Sequence, residues 1–281
     1  MQESLQNSAT SSEVEKEKSD VIFVPIRSRL TITEKTTIQE IGLNMAPLGW
    51  ESVFAKCSDE FQQIQINIDS LAASGALSQG LSGNVYYPQK KDLFRAFDLC
   101  PLNKVRVVIL GQDPYHASEN GVPQANGLSF STNRGCRIQP SLMNIFKELK
   151  SEYPNFEIPN HGDLTNWALF GILMLNACLT VSPSLAGSHK SIWNGFIGRV
   201  LEAISAVNPT CIFLLWGAKA QFWVKKIGQK SIKLLASHPS PFSAHKGNRD
   251  SAAFLGCNCF KLANEELKKI GSPEIDWCKL D

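Results

Sequence analysis

Four short apolar runs, each followed by glycine or polar residues, constrain the fold of this chain more than any other feature. They occupy residues 105–110, 172–175, 211–216 and 233–236. Short aliphatic runs bounded by turn residues are typical of strands that are buried on both faces, as in a parallel sheet. Helical patterns fill the gaps, and alternating strands and helices indicate an α/β fold. The sequence therefore predicts a single three-layer α/β/α domain with a central four-stranded, mainly parallel sheet.

Two stripes of apolar residues at helical spacing lie between the predicted strands. They consist of Leu142, Ile145, Phe146 and Leu149, and of Trp193, Phe196, Val200 and Ile204. Pro140 and Ser141 precede the first stripe, and a proline there predicts the start of a helix. Such stripes usually face a core, and Phe222, Trp223 and Phe260 are interpreted in the same way, as packing residues.

Length and charge limit the organisation of the chain. Its 281 residues, 43% of them hydrophobic, can bury the core of one large domain. Residues 1–20 are rich in Ser, Glu and Lys and are predicted to be a disordered polar tail. Residues 21–45 are a predicted N-terminal extension, either packed on the domain or available to a protein partner, and residues 46–281 are the domain itself. A net charge of +2 means that any positive surface for nucleic acid must be local.

The compartment follows from targeting signals and cysteines. No apolar segment typical of a secretory signal follows the start, and no run approaches the length of a membrane span. The eight cysteines are scattered without the Cys-x-x-Cys pairing of zinc sites, and Cys178 and Cys211 lie in apolar runs typical of a core. We therefore expect an intracellular protein, nuclear or cytoplasmic, without membrane association and without a metal site.

Polar residues follow the predicted strands. The hexapeptide Gly-Gln-Asp-Pro-Tyr-His at residues 111–116 follows the first run, and Pro114 stiffens the backbone that carries Asp113. Asn176 follows the second run, and His238 comes shortly after the fourth. Because ligands of parallel sheets bind beyond the carboxyl ends of the strands, these residues are predicted to converge. Taken alone, the hexapeptide could also be a simple Asp-Pro turn.

A carboxylate, an amide and an imidazole together suit the release of a planar heterocycle from a sugar. The carboxylate can act as a base or stabilise an oxocarbenium-like cation. The amide can discriminate one base edge from another by its hydrogen-bond pattern. The imidazole can donate a hydrogen bond to negative charge that develops on the departing heterocycle.

Five short motifs carry a resemblance to a known family. They are residues 111–116 (Gly-Gln-Asp-Pro-Tyr-His), 127–131 (Gly-Leu-Ser-Phe-Ser), 173–176 (Leu-Met-Leu-Asn), 214–217 (Leu-Leu-Trp-Gly) and 238–241 (His-Pro-Ser-Pro). In this order the motifs resemble those of the family 1 uracil-DNA glycosylases, and the resemblance extends from about residue 50 to residue 277. It implies a cofactor-free hydrolase that flips uracil out of DNA, hydrolyses its N-glycosidic bond and leaves an abasic site for base excision repair.

The resemblance also implies roles for individual residues. Asp113 would orient or deprotonate the attacking water and stabilise the positive sugar, and His238 would donate to uracil O2. The implied substrate-binding residues are Gln112 through its backbone, Tyr115 against the methyl group of thymine, Phe130 by stacking, and Asn176 at the N3/O4 edge.

The implied partner is uracil-containing DNA, single- or double-stranded, bound by a monomer. The implied DNA-binding residues are His116, Pro140, Ser141, Ser188, Gly217, Ser240 and Phe242. Phe242 stands where the family usually has a leucine wedge, and phenylalanine is also able to unstack a base step. Ala218 stands where a serine usually follows the glycine, so one phosphate-binding hydroxyl is missing. Residues 117–123 and 248–253 are longer than is usual, and we predict that both segments tune DNA engagement rather than the chemistry.

Two further histidines are assigned to structural or solvated positions. His161 is predicted to lie in a loop before a helix that has Asp163 as its N-cap, a position where aspartate is strongly preferred. His245 is predicted to be a solvated loop residue.

Three other classes of function stay open at this point. A metal-dependent nuclease would need several carboxylates, whereas only Asp113 is acidic at the four strand ends. A nucleotide-cofactor enzyme would be expected to contain Gly-x-Gly-x-x-Gly or Gly-x-x-x-x-Gly-Lys, and neither occurs. A non-enzymatic DNA-binding relative would be expected to have lost catalytic residues, whereas every residue matched to the chemistry is present.

Overall fold

The computed structural model describes residues 32–33, 35–74 and 85–281. The predicted tail, residues 1–20, and residues 21–31 of the predicted extension lie outside the described residues. The helices are α1 (Ile38–Asn44), α2 (Glu51–Ala55), α3 (Ser58–Ala73), α4 (Arg95–Leu99), α5 (Pro140–Glu152), α6 (Thr165–Leu169), α7 (Asn194–Val207), α8 (Ala218–Gln221) and α9 (Cys259–Lys269). The strands are β1 (Val107–Gly111), β2 (Ser118–Glu119), β3 (Val122–Pro123), β4 (Ile172–Asn176), β5 (Ile212–Trp216) and β6 (Ile232–Ala236).

Four of the strands form one parallel sheet with helices packed around it. The strand order is β4-β1-β5-β6, with Val107 opposite both Ile172 and Ile212. The strands β4, β1 and β5 are buried along their whole length, whereas the edge strand β6 is half-buried up to Ala236. The predicted α/β fold with a four-stranded parallel sheet is confirmed.

The strands differ from the predicted runs at their ends. β1 begins at Val107 rather than at residue 105, because Leu102–Lys104 forms a 3-10 helix immediately before it. At the other end, β1 and β4 extend one residue further than predicted, since Gly111 and Asn176 still pair with each other. Asn176, a predicted site residue, is therefore the last residue of β4 and does not lie in a loop.

The two predicted apolar stripes are the buried faces of α5 and α7, and all their residues are fully buried. Trp223 and Phe260 are also buried, as predicted. The prediction for Phe222 is wrong, because its side chain is 55% exposed. Phe222 and Trp223 begin a 3-10 helix, in which successive residues point about 120° apart, so Trp223 faces the core and its neighbour faces solvent. There the Nζ of Lys225 lies 4.4 Å from the centroid of the Phe222 ring.

Helix α1 ties the described part of the predicted extension to the rest of the structure. Thr37 and Glu40 form a capping box at its start. Ile38 and Ile41 are buried, the helix packs against α3, and the Ile38 N–H donates to Gln65 Oε1 at 2.8 Å. The apolar face of α1 therefore packs on the domain, which is one of the two alternatives predicted for this extension.

The prediction that Asp163 is the N-cap of α6 is wrong by one residue, because Leu164 holds that position without a side-chain cap hydrogen bond. Asp163 instead binds the first residue of the helix. Its Oδ1 accepts hydrogen bonds from the Thr165 N–H at 3.2 Å and from the Thr165 hydroxyl at 2.5 Å, where the helix begins. His161 is buried, with Nε2 3.1 Å from Asp281 Oδ1, so its contacts are structural. His245 is exposed, in agreement with its predicted place in a solvated loop.

All eight cysteines are free thiols, and Cys178 and Cys211 are buried as predicted. In the ranges that the structure describes, no helix combines the length and the apolar character that crossing a bilayer requires. Within those same ranges, no three His, Cys, Asp or Glu side chains are grouped as metal ligands would be.

Candidate active site

The carboxyl ends of all four parallel strands lie at one edge of the sheet. Asn176 ends β4, Gly111 ends β1, Trp216 ends β5, and β6 ends two residues before His238. The predicted convergence of the strand-end residues is therefore observed at the level of the backbone. The loops that follow β1 and β4 are joined directly, because the N–H groups of residues 177 and 178 donate to the carbonyls of residues 111 and 112 at 3.0 and 2.9 Å.

Gly111 permits the close approach of Asn176 to the loop after β1. A Cβ on residue 111 would lie 2.3 Å from Asn176 Oδ1, and also 2.9 Å from the Ser129 Cβ. Any larger side chain would displace the amide that is predicted to read the base edge. The sequence showed this glycine only as part of a motif, and its steric role became visible when the neighbouring strand was placed.

Phe130 is held beside the strand ends by unusual backbone geometry. Its φ is +60°, in the left-handed region that side-chain-bearing residues seldom adopt. Its carbonyl accepts a hydrogen bond from the Tyr115 hydroxyl at 3.1 Å. Its ring centroid lies 5.5 Å from that of Trp216 and 5.9 Å from that of His238. Phe130, Trp216 and His238 thus form one cluster of rings, and Tyr115 is joined to it through the Phe130 backbone.

The loop after β6 orients His238 and selects its tautomer. The Ser240 N–H donates to Nδ1 at 3.0 Å, so the proton of a neutral ring lies on Nε2. Burial lowers the pKa of His238, which favours that neutral form. Gly217 has a φ of +86°, and a Cβ there would lie 2.8 Å from the Cβ of His238. The glycine therefore allows the two strand-end loops to touch.

Two residues that the sequence did not single out hold this loop. Asn144, buried on α5, donates through Nδ2 to the Pro239 carbonyl at 2.8 Å. Ser243 donates through its hydroxyl to the His238 carbonyl at 2.9 Å. The sequence holds only a weak signal for Asn144. Its amide lies beside the apolar stripe of a predicted helix, and a polar side chain that is buried there needs a hydrogen-bond partner.

Asp113 is half-buried and carries one anchored oxygen. Its Oδ2 accepts a hydrogen bond from the Gly187 N–H at 2.8 Å. Burial raises the pKa of Asp113, while the Gly187 N–H and the nearby His116 and Lys190 act in the opposite direction. The carboxylate thus combines partial desolvation with a fixed orientation, two features that suit a base.

The candidate DNA-binding residues surround this edge. His116 has a buried Nδ1 without a hydrogen-bond partner among the described residues. Pro140 and Ser141 form the first turn of α5. The Ser188 hydroxyl accepts from the Ser182 N–H at 2.8 Å, and the Ser240 and Ser243 hydroxyls lie 2.9 Å apart. Gly217 precedes α8, and Phe242 is 87% exposed.

The two longer segments differ in their attachment. Residues 117–123 contain the hairpin of β2 and β3, which Glu119 joins to Arg137 by a salt bridge of 3.0 Å. Residues 248–253 support the loop after β6, because the Ser237 N–H donates to the Ala252 carbonyl at 2.8 Å. Asn248 Oδ1 accepts two backbone N–H groups in this segment. Deletion of residues 248–253 would thus also remove the hydrogen-bond acceptor of Ser237, which precedes His238 in the chain.

Comparison with known proteins agrees with this geometry. Residues 97–268 match the family model described as the uracil DNA glycosylase superfamily. The uracil-DNA glycosylase of Proteus mirabilis is 44% identical over 235 residues, which cover 82% of this chain and 96% of that protein. Its counterpart from Sodalis glossinidius is 48% identical over 198 residues, covering 70% and 83%. The counterpart from Escherichia coli K12 is 44% identical over 232 residues, covering 82% and 94%.

Solved structures of uracil-DNA glycosylases are also similar to this chain. The crystal structure of mimivirus uracil-DNA glycosylase has a TM-score of 0.76 at 26% identity, covering 90% of this chain and 98% of that one. A variant of the mimivirus enzyme in complex with UGI has a TM-score of 0.75 at 28% identity, covering 85% and 92%. Fold, motif order and relatives thus agree, and the chain belongs to the uracil-DNA glycosylase superfamily as a member of family 1, the monofunctional hydrolases that excise uracil from DNA in base excision repair.

Proposed function

We propose that the carboxyl edge of the sheet is the active site of this enzyme, with Asp113 and His238 as its catalytic residues. The observation that carries the proposal is that two loops at the same edge of the sheet each present one oriented polar side chain. One presents a half-buried carboxylate anchored by a backbone N–H, and the other presents an imidazole whose neutral form carries its proton on Nε2. The Phe130 ring lies beside the imidazole and offers a flat surface for a base.

In the proposed reaction, water attacks C1′ of the deoxyribose as the bond to uracil N1 breaks. Asp113 orients this water, accepts its proton and stabilises the positive charge of the sugar. The electron pair of the broken bond leaves with uracil, and the negative charge that develops on O2 is stabilised by the Nε2–H of His238. Uracil departs as an anion, so no acid has to protonate it.

Selectivity for uracil is assigned to four residues at the same edge. Phe130 stacks on the base, and Tyr115, whose hydroxyl is bonded to the Phe130 carbonyl, fills the space beside C5. A thymine methyl group would therefore meet the tyrosine ring. The Asn176 amide pairs with N3–H and O4, and the backbone of Gln112 contacts a uracil carbonyl. A base with the opposite hydrogen-bond pattern would leave buried polar groups unpaired.

The surrounding residues are proposed to bind DNA and to extrude the nucleotide. Their role is to grip phosphates with small hydroxyls, ring nitrogens and backbone N–H groups. The residues are His116, Pro140, Ser141, Ser188, Gly217 and Ser240. Glycosylases must take the target nucleotide out of the stack, which costs a few kcal/mol. Phe242 is the proposed wedge, because its exposed ring can enter the vacated base step.

We also propose a monomer that acts inside the cell on single- or double-stranded DNA. Because residues 38–44 are packed, the proposed binding segment for a protein partner is restricted to the residues that precede them. A variant of the mimivirus enzyme forms a complex with UGI, and we propose that this chain binds UGI as well. Loss of uracil release on adding UGI would support this proposal, whereas unchanged release with saturating UGI would contradict it.

Release of uracil from a defined oligonucleotide tests the proposed site. The substrate carries one uracil, either single-stranded or paired with guanine, in excess EDTA, and a thymine-only oligonucleotide is the control. We expect uracil release from the first substrate alone, and its loss in the Asp113→Asn variant while DNA binding is retained. An active Asp113→Asn variant would refute the assignment of Asp113, and release that requires metal would point to a different reaction.

A further inference from the structure

The Asp113 carboxylate is oriented by a loop that is remote from it in the chain. Oδ2 accepts the Gly187 N–H at 2.8 Å across a separation of 74 residues. Gly187 has a φ of +66°, and a Cβ at this position would lie 2.4 Å from Lys190 Cε. Glycine alone adopts this conformation at little cost. The backbone of residues 180–190 therefore determines where the anchored oxygen of Asp113 lies.

A buried histidine braces this loop from within. His189 Nε2 lies 3.0 Å from the Ser182 hydroxyl, and Nδ1 lies 2.8 Å from the Thr180 hydroxyl. The Thr180 hydroxyl also accepts from Trp193 Nε1 at 2.8 Å. The four side chains are fully buried. The Ser182 N–H also donates to the Ser188 hydroxyl at 2.8 Å, which joins Ser182 to the residue that follows Gly187.

Burial favours a neutral ring in the brace. Burial lowers the pKa of His189 to about 4. A neutral imidazole has one N–H donor and one acceptor nitrogen, so it donates to one of the two hydroxyls and accepts from the other. Both ends of the loop that contains Gly187 are thereby joined through one rigid side chain, and neither hydroxyl needs water.

We infer that His189 is a positioning residue that holds the Gly187 N–H against Asp113. The inference rests on the proposed function, because it gives His189 a role in catalysis through the carboxylate. His189 itself contacts hydroxyl groups and the backbone rather than the site of reaction. It is also distinct from the roles implied by the family motifs, which assigned the neighbouring Ser188 to phosphate binding.

Loss of the brace changes the proton affinity of Asp113. The titratable groups that face Asp113 are His116 from its own loop, and Lys190 and Cys178 from the segment after β4. The Gly187 N–H stabilises the ionised carboxylate, so its withdrawal raises the pKa of Asp113 further. The acid limb of the profile of kcat/KM against pH then moves to higher pH, a result that a general loss of stability does not produce.

The test compares His189→Ala with wild type and with His161→Gln, a matched change at a buried histidine away from the site. We expect His189→Ala to lower kcat on a single-stranded uracil oligonucleotide by about 10- to 100-fold, the range for losing a hydrogen bond to a charged group. The acid limb should shift upward, and KM should change little. His161→Gln should leave kcat and the profile unchanged for the folded protein. Ser182→Ala is a milder change and should shift the acid limb of the pH profile in the same direction by a smaller amount. It provides the test if the His189→Ala variant does not fold.

A double-mutant cycle separates this inference from the proposed function. Adding His189→Ala to Asp113→Asn should reduce turnover no further if His189 acts through the carboxylate. If Asp113→Asn is inactive but neither His189→Ala nor Ser182→Ala alters the pH profile, the inference about His189 fails and the assignment of Asp113 survives. If Asp113→Asn retains full turnover, both fail. Full additivity of the two losses would also overturn the positioning role.

Discussion

His238 and Phe242 lie in the same loop, four residues apart, yet the protein treats them in opposite ways. The His238 ring accepts the Ser240 N–H, its carbonyl accepts the Ser243 hydroxyl, and its pKa is lowered by burial. The Phe242 side chain is 87% exposed. A large aromatic side chain gains much from leaving water, so the exposed Phe242 ring would be stabilised by the proposed entry into a base step. The proposed catalytic group is thus preorganised by the protein, whereas the proposed wedge is left for the DNA to order.

Replacing the carboxylate should give the largest effect on the preorganised side of this comparison. Asp113→Asn is expected to reduce kcat by about 10²- to 10⁴-fold, the range for a general base, with DNA binding retained. Asp59→Asn, at an exposed position of α3, is the control and should leave kcat unchanged. Single-turnover uracil release and a DNA-binding titration measure the two quantities. A variant that loses binding and kcat together would show that Asp113 holds DNA rather than acting on the bond.

The pH dependence of the wild type sharpens the same point. Asp113 must be ionised to accept a proton, and burial raises its pKa above the ordinary value of 3.8. As the pH falls, the carboxylate therefore gains its proton earlier than an exposed aspartate would, and kcat/KM should decline at a pH above 3.8. A profile with no decline until the ordinary aspartate range would contradict the effect of burial.

Removing the imidazole should cost somewhat less. His238→Ala is expected to lower kcat by about 10²- to 10³-fold, as for the loss of one preorganised donor at a developing anion. His245→Ala, an exposed histidine beyond the same loop, is the matched control. Kinetics on a single-stranded uracil oligonucleotide compare the two variants. Equal kcat values for both would mean that the ordered ring makes no contact that strengthens in the transition state.

The support of the loop can be removed without touching either residue. Asn144→Ala leaves the Pro239 carbonyl without its donor, and we expect a loss of about 1–3 kcal/mol in the free energy of unfolding. Urea denaturation of this variant and of Asn194→Ala, an exposed control, provides the measurement. A drop in kcat should accompany the loss, because His238 is carried on the same loop. Unchanged stability would show that water replaces the amide at no cost.

The smallest effect is expected on the exposed side of the comparison. Phe242→Ala should reduce turnover on uracil in duplex DNA by about tenfold or less, since the wedge offsets only part of an extrusion cost of a few kcal/mol. Turnover on single strands should be nearly unchanged, because less unstacking is needed there. Phe222→Ala, at the other exposed phenylalanine among the residues that the structure describes, controls for loss of an aromatic ring. Equal losses of turnover on duplex and single-stranded substrates would indicate that Phe242 contributes to bond cleavage rather than to DNA engagement.

Much of the fold and the identity of the candidate site residues were predictable from the sequence alone. The spacing of apolar residues and the flanking turn residues predict the strands and the apolar faces of α5 and α7, and both are local signals. Parallel strands share one carboxyl edge, so placing Asp113, Asn176 and His238 after strands predicted that they would meet there. The five ordered motifs then indicated the family, and the comparisons confirmed it.

Only the tertiary structure decided which groups hold those residues in place. The donor to Asp113 comes from Gly187, 74 residues away, and the donor to the Pro239 carbonyl comes from Asn144, 95 residues away. Nothing in local periodicity distinguishes a buried amide or histidine that braces a loop from one that merely packs. The same limit explains Phe222, since Phe222 and Trp223 are both large aromatic residues suited to a core and only the packing of the chain decides which one faces it. Sequence pattern reports burial and turns, whereas hydrogen-bond partners depend on the three-dimensional arrangement of distant segments.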